Sequence, residues 1–377
     1  MDMAPDPALK ASLARTTSQG RASRWADLAE DAAEANCFYA PDLLVPALAH
    51  LADEGAIQIL EAYDGATLIG LMPVTAAPRH GRLPLANVTN WMHRHCFFGA
   101  PLIRRGAEQA AWTGFLAQLD ARPGLGHFLH LSGLDAAGAN AAAIEAVCFA
   151  QGRAFVEIQR YDRALLRTGL SADAYWETHV RAKKRKEIRR LQKRLAELGP
   201  VESRMLSAAA ELPQWTADFL ALEASGWKGD EGTALMSDPK DSLFFCEAIG
   251  GAFARGNLQF LRIDLDGRAI AMLVNFRHGE GAFSFKIAFD EALGRFSPGV
   301  LIEIDNLCAV CADPSLAWMD SCAATDHPMI DSLWAERRAI AQYRIALNGT
   351  GPARARRALA FAAAGAAERI ATAMKRS

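Results

Sequence analysis

The chain has 377 residues, 51% of them hydrophobic and 22% charged, and a net charge of −2. That length suits two domains, the near-neutral balance gives no global attraction to nucleic acid, and no apolar run reaches the ~18 residues of a membrane span. Seven scattered cysteines, an odd number, fit a reduced cytoplasm rather than a disulfide framework.

Residues 1–20 lack an apolar core and a cleavage pattern, so they read as a loose leader rather than a secretory signal. Trp25, Leu28 and Ala32 stand at helical spacing and open an amphipathic helix expected to end near Asn36; residues 43–51 form a second. Residues 55–60 read as a strand, Asp64-Gly65 as a hairpin turn and 68–74 as the return strand. The stretch 86–103, which holds Trp91, His93 and His95, is a strand or irregular. A helix over 107–119, a strand over 127–131, a helix over 136–151 and a strand over 154–158 follow, with Gly and Pro at the turns.

Residues 181–198, RAKKRKEIRRLQKRLAEL, form the most basic helix of the chain. Ile188, Leu191, Leu195 and Leu198 make one buried stripe. Arg181, Lys183, Lys184, Arg185, Lys186, Arg189, Arg190, Lys193 and Arg194 crowd the other faces, opposed only by Glu187 and Glu197. Gly199 and Pro200 end the helix. Such density attracts polyanions: cofactor phosphates, a nucleotide- or lipid-linked substrate, an RNA or a membrane surface. A solvated helix face is the alternative.

A helix over 212–225 leads into a glycine-rich loop, 226–234, with Trp227 and Lys228. Such loops line ligand sites; Trp227 can stack on a sugar or a base, or pack in the core. After a helix over 244–254, the run 256–270 repeats the first hairpin, strand, Asp266-Gly267, strand. The copies lie about 200 positions apart, which suggests two similar domains rather than a solenoid.

Within 281–289, Phe283, Phe285 and Ile287 alternate with Ser284, Lys286 and Ala288. That is a strand with Lys286 on its polar side, there to hold a phosphate or carboxylate or to form a salt bridge. A polar loop over 290–295 follows, then Ser297-Pro298-Gly299 and a helix carrying Val300, Leu301, Ile304, Leu307, Cys308 and Cys311. Ser297 is the expected N-cap and Pro298 the first helical residue. The N–H groups of such a start attract phosphates; a capped helix that binds nothing is the alternative. Cys308 and Cys311 lack a second pair, so no metal site is expected. Residues 317–322 read as a strand end and 330–346 as a helix. The Ala-rich basic stretch 354–377 reads as a helix packed on the body, a frayed end or a membrane-facing segment.

The order helix, hairpin, strand–loop–helix, strand resembles the GNAT acyltransferase fold. Four motifs stand together: 181–190 (RAKKRKEIRR), 223–229 (EASGWKG), 296–299 (FSPG) and 320–331 (DSCAATDHPMID). They are similar to the cellulose-biosynthesis-type GNAT branch, related to the Fem-type aminoacyltransferases, which pair two such domains. The resemblance spans residues 20–345. It implies an α/β chain, in the α+β sense, of two tandem GNAT-like domains, each a mixed, largely antiparallel sheet flanked by helices. Their bounds are 21–168 and 169–348, with a basic C-terminal helix over 349–377.

The resemblance also implies an acyl-CoA co-substrate, acetyl-CoA first, with its pyrophosphate at Phe296, Ser297, Pro298, Gly299 and Val300. The implied acceptor is an amine on an amino sugar, sugar nucleotide or lipid-linked saccharide in exopolysaccharide or envelope synthesis. The expected place is the cytoplasm, with peripheral association at the inner membrane or in a synthase complex. The R/Q-x-x-G-x-G/A signature is absent, and Gly294-Arg295-Phe296-Ser297-Pro298-Gly299 stands in its place. Fem-type relatives also lack it and use aminoacyl-tRNA. The donor is therefore acyl-CoA, an acyl carrier protein or a charged tRNA; a non-catalytic synthase component is the remaining reading.

N-acylation needs a neutral amine, a polarised carbonyl and orientation of the two. His327, an imidazole that follows a strand end carrying Asp320, is the expected base. Asp320, Asp326 or Glu223 orients or replaces it; a cap or loop hydrogen bond is the structural alternative for His327. Trp227, Lys228, Lys286, Arg185 and Arg189 are the expected substrate contacts. Cys322 as an acyl-carrying nucleophile is the weaker option, because a buried cysteine is inert.

Overall fold

The structure, a computed structural model, describes residues 20–376, so the expected leader lies outside the described residues but for its last position. The first half runs α1 (20–30), α2 (Pro41–His50), β1 (Ile57–Asp64), β2 (Thr67–Ala77), β3 (Asn87–Asn90), β4 (Leu102–Ile103), α3 (Glu108–Asp120), β5 (Phe128–Asp135), α4 (Ala139–Ala150) and β6 (Phe155–Arg167). The second half begins with α5 (Ala172–His179), α6 (Ala182–Ala196), β7 (Val201–Met205), α7 (Leu212–Ala224), α8 (Trp227–Asp230) and α9 (Pro239–Ala254). It continues with β8 (Leu258–Leu265), β9 (Arg268–His278), β10 (Gly281–Phe289), α10 (Pro298–Ala312), β11 (Trp318–Asp320), β12 (Glu336–Ala346) and α11 (Gly351–Arg376).

The two hairpins expected to be copies have the same build. In each, a strand of 8 residues turns into one of 11. In each, the register slips just before the turn, at Ala62/Tyr63 and at Ile263/Asp264. Each hairpin feeds a parallel pair, β3 with β5 and β10 with β11. Then the halves exchange their last strands. β6 pairs with β11, β12 pairs with β5, and β6 and β12 pair antiparallel at the centre. The result is one sheet of twelve strands in the order β1-β2-β3-β5-β12-β6-β11-β10-β9-β8-β7, with β4 beside β2. This is the expected mixed, largely antiparallel sheet flanked by helices, built from two matching halves.

Helices cover both faces. One apolar cluster joins the first half to α7 and α9 through Phe219, Phe244, Phe245, Phe283 and Phe285. The other packs Tyr175 of α5, Ile188 and Leu195 of α6, and Leu301 and Ile302 of α10. No helix among the described residues is long and apolar enough to cross a membrane. Helix α11 packs on the first half: Arg357 is buried, and Arg344 of β12 reaches Glu368 at 3.0 Å.

Four expectations are corrected. Residues 336–346 form strand β12, not a helix: Arg338 and Arg344 are buried in ion pairs, and a register slip at residues 341–343 breaks the alternation that marks a strand. The first helix stops at residue 30, because Ala32 bridges to Arg104. Leu198 lies beyond α6 and is exposed, so it does not extend the stripe of Ile188, Leu191 and Leu195. Ser297 is not a side-chain N-cap; it adopts a left-handed backbone (φ 53°) and its hydroxyl makes no cap bond.

Candidate active site

β10 and β11 pair at only three positions, Gly281 with Trp318 to Phe283 with Asp320. β11 ends there while β10 runs on to Phe289, so a split opens in the sheet. At the same point the β9–β10 register slips between Ser284 and Lys286, a bulge at Phe285. The bulge changes which residues share a face. Phe283 and Phe285 join the α7–α9 cluster, whereas Ile287 and Phe289 pack with α10. Lys286 is thereby turned inward instead of facing solvent, with its side chain 12% exposed.

Three of the expected site residues meet at this strand. Glu223 closes α7, and α8 folds back over it because Gly226 is extended and Gly229 packs where any Cβ would collide with the Ala224 carbonyl. The Glu223 carboxylate then receives Lys228 Nζ at 3.0 Å, Lys286 Nζ at 3.8 Å and the Leu235 N–H at 2.9 Å. Lys228 also donates to the Ile287 carbonyl at 3.1 Å, tying α8 to β10. Burial holds Lys286 below the ordinary lysine value, with the nearby Glu223 opposing. Trp227 is half exposed, and its backbone N–H donates to Glu291 at 2.7 Å. A cavity of about 20 Å³ lies among Glu223, Trp227, Lys228, Ile287, Phe289 and Glu291, room for about one water.

The turn before α10 is unlike an open nest of donors. The Ser297 carbonyl accepts the Val300 and Leu301 N–H groups at 2.9 and 3.1 Å, and Pro298 has none to give. Among the described residues that leaves the Gly299 N–H without a partner at this helix start. Cations stand beside it. The guanidinium groups of Arg295 and Arg194 lie 4.8 and 5.7 Å from the ring of buried Phe296. Arg194 comes from α6, so the basic helix borders the loop.

The other expected residues lie elsewhere. Asp320 is fully buried and saturated: its Oδ2 accepts Arg163 at 2.6 Å and Arg338 at 3.1 Å, and its Oδ1 accepts the Cys322 N–H. Burial pushes its pKa up, but the two arginines outweigh that and hold it below the usual carboxylate range. The structure gives it no bond to His327. The half-buried His327 has an Nδ1 without a hydrogen-bond partner. Asp326 is exposed, in a left-handed conformation (φ 57°). Burial raises the Cys322 thiol well above its ordinary value, which disfavours a thiolate nucleophile. Arg185 and Arg189 are both drawn to Glu177 of α5, at 2.6 and 3.4 Å. Among the described residues, the exposed α6 cations outside such ion pairs are, besides Arg194, Lys183, Lys186, Arg190 and Lys193.

Sequence reasoning did not assign Arg94, His95 or Asp241 to the site. Arg94 donates to Asp241 at 2.7 Å and to Asp238 at 2.8 Å, and His95 Nε2 lies 2.8 Å from Asp241 Oδ1. The signal available was His93-Arg94-His95 itself, three basic side chains in an irregular stretch. Among the described residues, no group of three or more His, Cys, Asp or Glu side chains is placed to hold a metal ion.

Residues 182–327 match the family model described as an acetyltransferase (GNAT) domain. The match takes in α6, the Glu223–Lys228–Lys286 cluster, the α10 start and β11, so the chain carries an acyltransferase domain with the split at its centre. No curated protein matches the sequence. Among solved structures, the fold is similar to a conserved protein of unknown function from Bacteroides thetaiotaomicron VPI-5482 (TM-score 0.56, 12% identity, covering 87% of this chain and 97% of that one). It is also similar to the C-terminal domain of a protein described as a lysylphosphatidylglycerol synthetase from Agrobacterium fabrum (TM-score 0.54, 11% identity, 91% and 95% covered). FemX aligns with a TM-score of 0.49 at 9% identity over 77% of this chain and 88% of its own. At these identities the likeness is one of fold.

Proposed function

We propose that the protein is an N-acyltransferase that moves an acyl group, acetyl first among candidates, from acyl-CoA to an amine. The acceptor we favour is an amino sugar, a sugar nucleotide or a lipid-linked saccharide of exopolysaccharide or envelope synthesis. The observation that carries this reading is the split between β10 and β11, opened at the Phe285 bulge and flanked by the Glu223–Lys228–Lys286 cluster. Beyond Phe283 the edge of β10 is no longer paired to β11, so its N–H groups can face a thioester carbonyl and the charge that develops on it. The acyl chain lies in the split, and Glu223 and the two lysines orient the acceptor. The diphosphate meets the Gly299 N–H and the cations Arg194 and Arg295, side chains replacing the backbone donors that this loop uses internally.

That last feature also favours a second reading. A helix start with one spare N–H, beside Arg194 and four further exposed cations on α6, suits a charged tRNA as donor. Thermal unfolding with CoA, acetyl-CoA and deacylated tRNA separates the two. A ligand that binds only the folded protein at about 100 times its Kd stabilises it by ~2.7 kcal/mol. We expect a shift with CoA that is lost in Gly299→Leu, whose Cβ would press on Phe289 at 3.1 Å. A shift with tRNA alone, abolished when Lys183, Lys186, Arg190 and Lys193 become Glu, overturns the acyl-CoA reading.

A further inference from the structure

The stretch Trp91–Phe98 of the first half lies across the split of the second. The Phe98 ring is 5.8 Å from Phe283, Phe97 is 5.9 Å from Phe285, and Arg163 donates to the Phe97 carbonyl at 2.7 Å. His95 sits in this stretch. Its ring stacks on Phe244 of α9 at 5.5 Å and lies 6.3 Å from Phe285, the bulge residue. Lys286 Nζ lies 5.7 Å from the same Phe285 ring, so imidazole and lysine flank the bulge. Asp241, in the first turn of α9, places Oδ1 2.8 Å from His95 Nε2, and Arg94 Nε donates to both of its oxygens at 2.7 and 2.8 Å. His95 is 5% exposed, and neither ring nitrogen makes an aligned hydrogen bond, Nε2 having only the close approach of Asp241; the His93 Nε2 beside it is also buried and unbonded. Buried polar atoms are nearly always bonded, so an orphan imidazole nitrogen next to an opening in the sheet marks where a ligand or a water is due.

We infer that the first half supplies the proton acceptor of the transfer site: His95, oriented by Asp241 across the boundary between the halves, takes the proton of the acceptor amine. The inference rests on the acyl-CoA reading above. The step balances. R–NH3⁺ gives one proton to His95 Nδ1, directly or through one water. The freed R–NH2 attacks the thioester carbon, a C–N bond forms, the C–S bond breaks, and one of the two N–H protons goes to the departing CoA thiolate while the other stays on the amide. His95–H⁺ then returns its proton to solvent. Asp241 is the positioning residue that stabilises the imidazolium. The groups facing this imidazole are His93, Arg94, Asp241 and Lys286, with Glu223 and Lys228 beyond the lysine. Burial, then Lys286, brings His95 down to about 4, so the resting imidazole is neutral at physiological pH, and Asp241 is the group that opposes this shift.

The test is acetyl-CoA turnover by the full chain with two amines, D-glucosamine and hydroxylamine. Glucosamine is partly protonated near neutrality and must lose a proton; hydroxylamine is already uncharged. His95→Gln is expected to lower acetyl transfer to glucosamine by about 100-fold or more while transfer to hydroxylamine stays within about 3-fold. Asp241→Asn should lower the glucosamine rate with the same selectivity. Acetyl-CoA affinity, from calorimetry, and the urea midpoint report whether either variant has simply lost its fold. If His95→Gln slows both amines equally with binding and folding intact, His95 is not the proton acceptor and the inference fails. If the wild-type chain binds acetyl-CoA and acetylates hydroxylamine but His95→Gln leaves the glucosamine rate unchanged, the inference fails and the acyl-CoA reading stands. If the wild-type chain neither binds acetyl-CoA nor acetylates either amine, the acyl-CoA reading fails and takes the inference with it.

Discussion

The helix that bears the candidate donor loop hides a carboxyl group whose protonation can be read as stability. Glu303, on α10, is buried against the sheet, with one hydrogen bond, from Asn306 Nδ2 at 3.0 Å. Asn306 in turn accepts from Asn275, which also donates to Gln259, so the carboxyl ends a chain of neutral amides with no cation in it. Burial raises its pKa from 4.5 to about 7, the Asn306 bond opposing only weakly. The sign follows from which state holds the proton. Between these values the native protein keeps it and the unfolded chain has released it, so the contribution is complete below pH 4.5 and lost as pH rises to about 7. At ~1.4 kcal/mol per pKa unit the loss is about 3 kcal/mol. Glu303→Gln keeps the shape and an acceptor for Asn306 but cannot ionise. By urea unfolding it should match the wild type within about 0.5 kcal/mol near pH 4 and exceed it by about 3 kcal/mol near pH 8. Glu34, also raised to about 7 by burial, is present in both proteins and cancels. A variant less stable than wild type by the same amount at both pH values would refute the reasoning, because the charge would then not be the unfavourable part.

Three further outcomes follow from the same structure. Glu223→Gln leaves Lys286 buried without its counter-charge and should cost about 3 kcal/mol; adding Lys286→Met should recover at least half of it, and additive losses in the double-mutant cycle would show the pair to be uncoupled. A fragment spanning residues 169–348 lacks β5 and β6, the two neighbours of β12, so Ile340, Tyr343 and Ile345 lose their cover; it should be insoluble or unfolded by circular dichroism. His278 accepts the Asn36 N–H at 3.1 Å through Nδ1, and burial lowers its pKa to about 4, so its contribution, complete above pH 6.5, falls away as pH drops toward 4. Its imidazole signal in NMR should therefore not titrate until below about pH 5.

Both hairpins could be read from the sequence, because their turns carry Asp-Gly and their strands face a core on one side. The Glu223 to Gly229 stretch could be singled out from the sequence because its parts lie close in the chain: one turn brings Lys228 back to Glu223. What could not be read depends on distant partners. Asp320 looks like a catalytic acid at a strand end, but it is paired with Arg163, 157 positions away. β12 looks helical because its arginines suggest an outer face, yet Arg338 and Arg344 are buried on Asp135, Asp320 and Glu368. The direction of Lys286 turns on the bulge at Phe285, and no residue in that strand announces a bulge.

The two halves differ most where their symmetry predicts the same feature. In the first half β3 pairs with β5 as β10 does with β11. There, however, the strands are stitched together beyond the pairing. Asn90 donates to the carbonyls of Gly99 and Ser132 at 2.9 and 2.8 Å and accepts the Ser132 N–H at 2.9 Å. The Gly99 N–H bonds to Gly133, and Met92 packs so closely on Gly133 that a Cβ there would sit 2.8 Å from its sulfur. The first split is thus bridged by its own chain, while β10 and β11 are unpaired beyond Phe283 and Asp320. Filling it routes residues 91–98 over the edge of β5 and onto α9, which is how His93, Arg94 and His95 reach the second half at all. A half that had kept its own opening would have no chain to spare for its neighbour, so the closed split and the shared site are consequences of one path of the backbone.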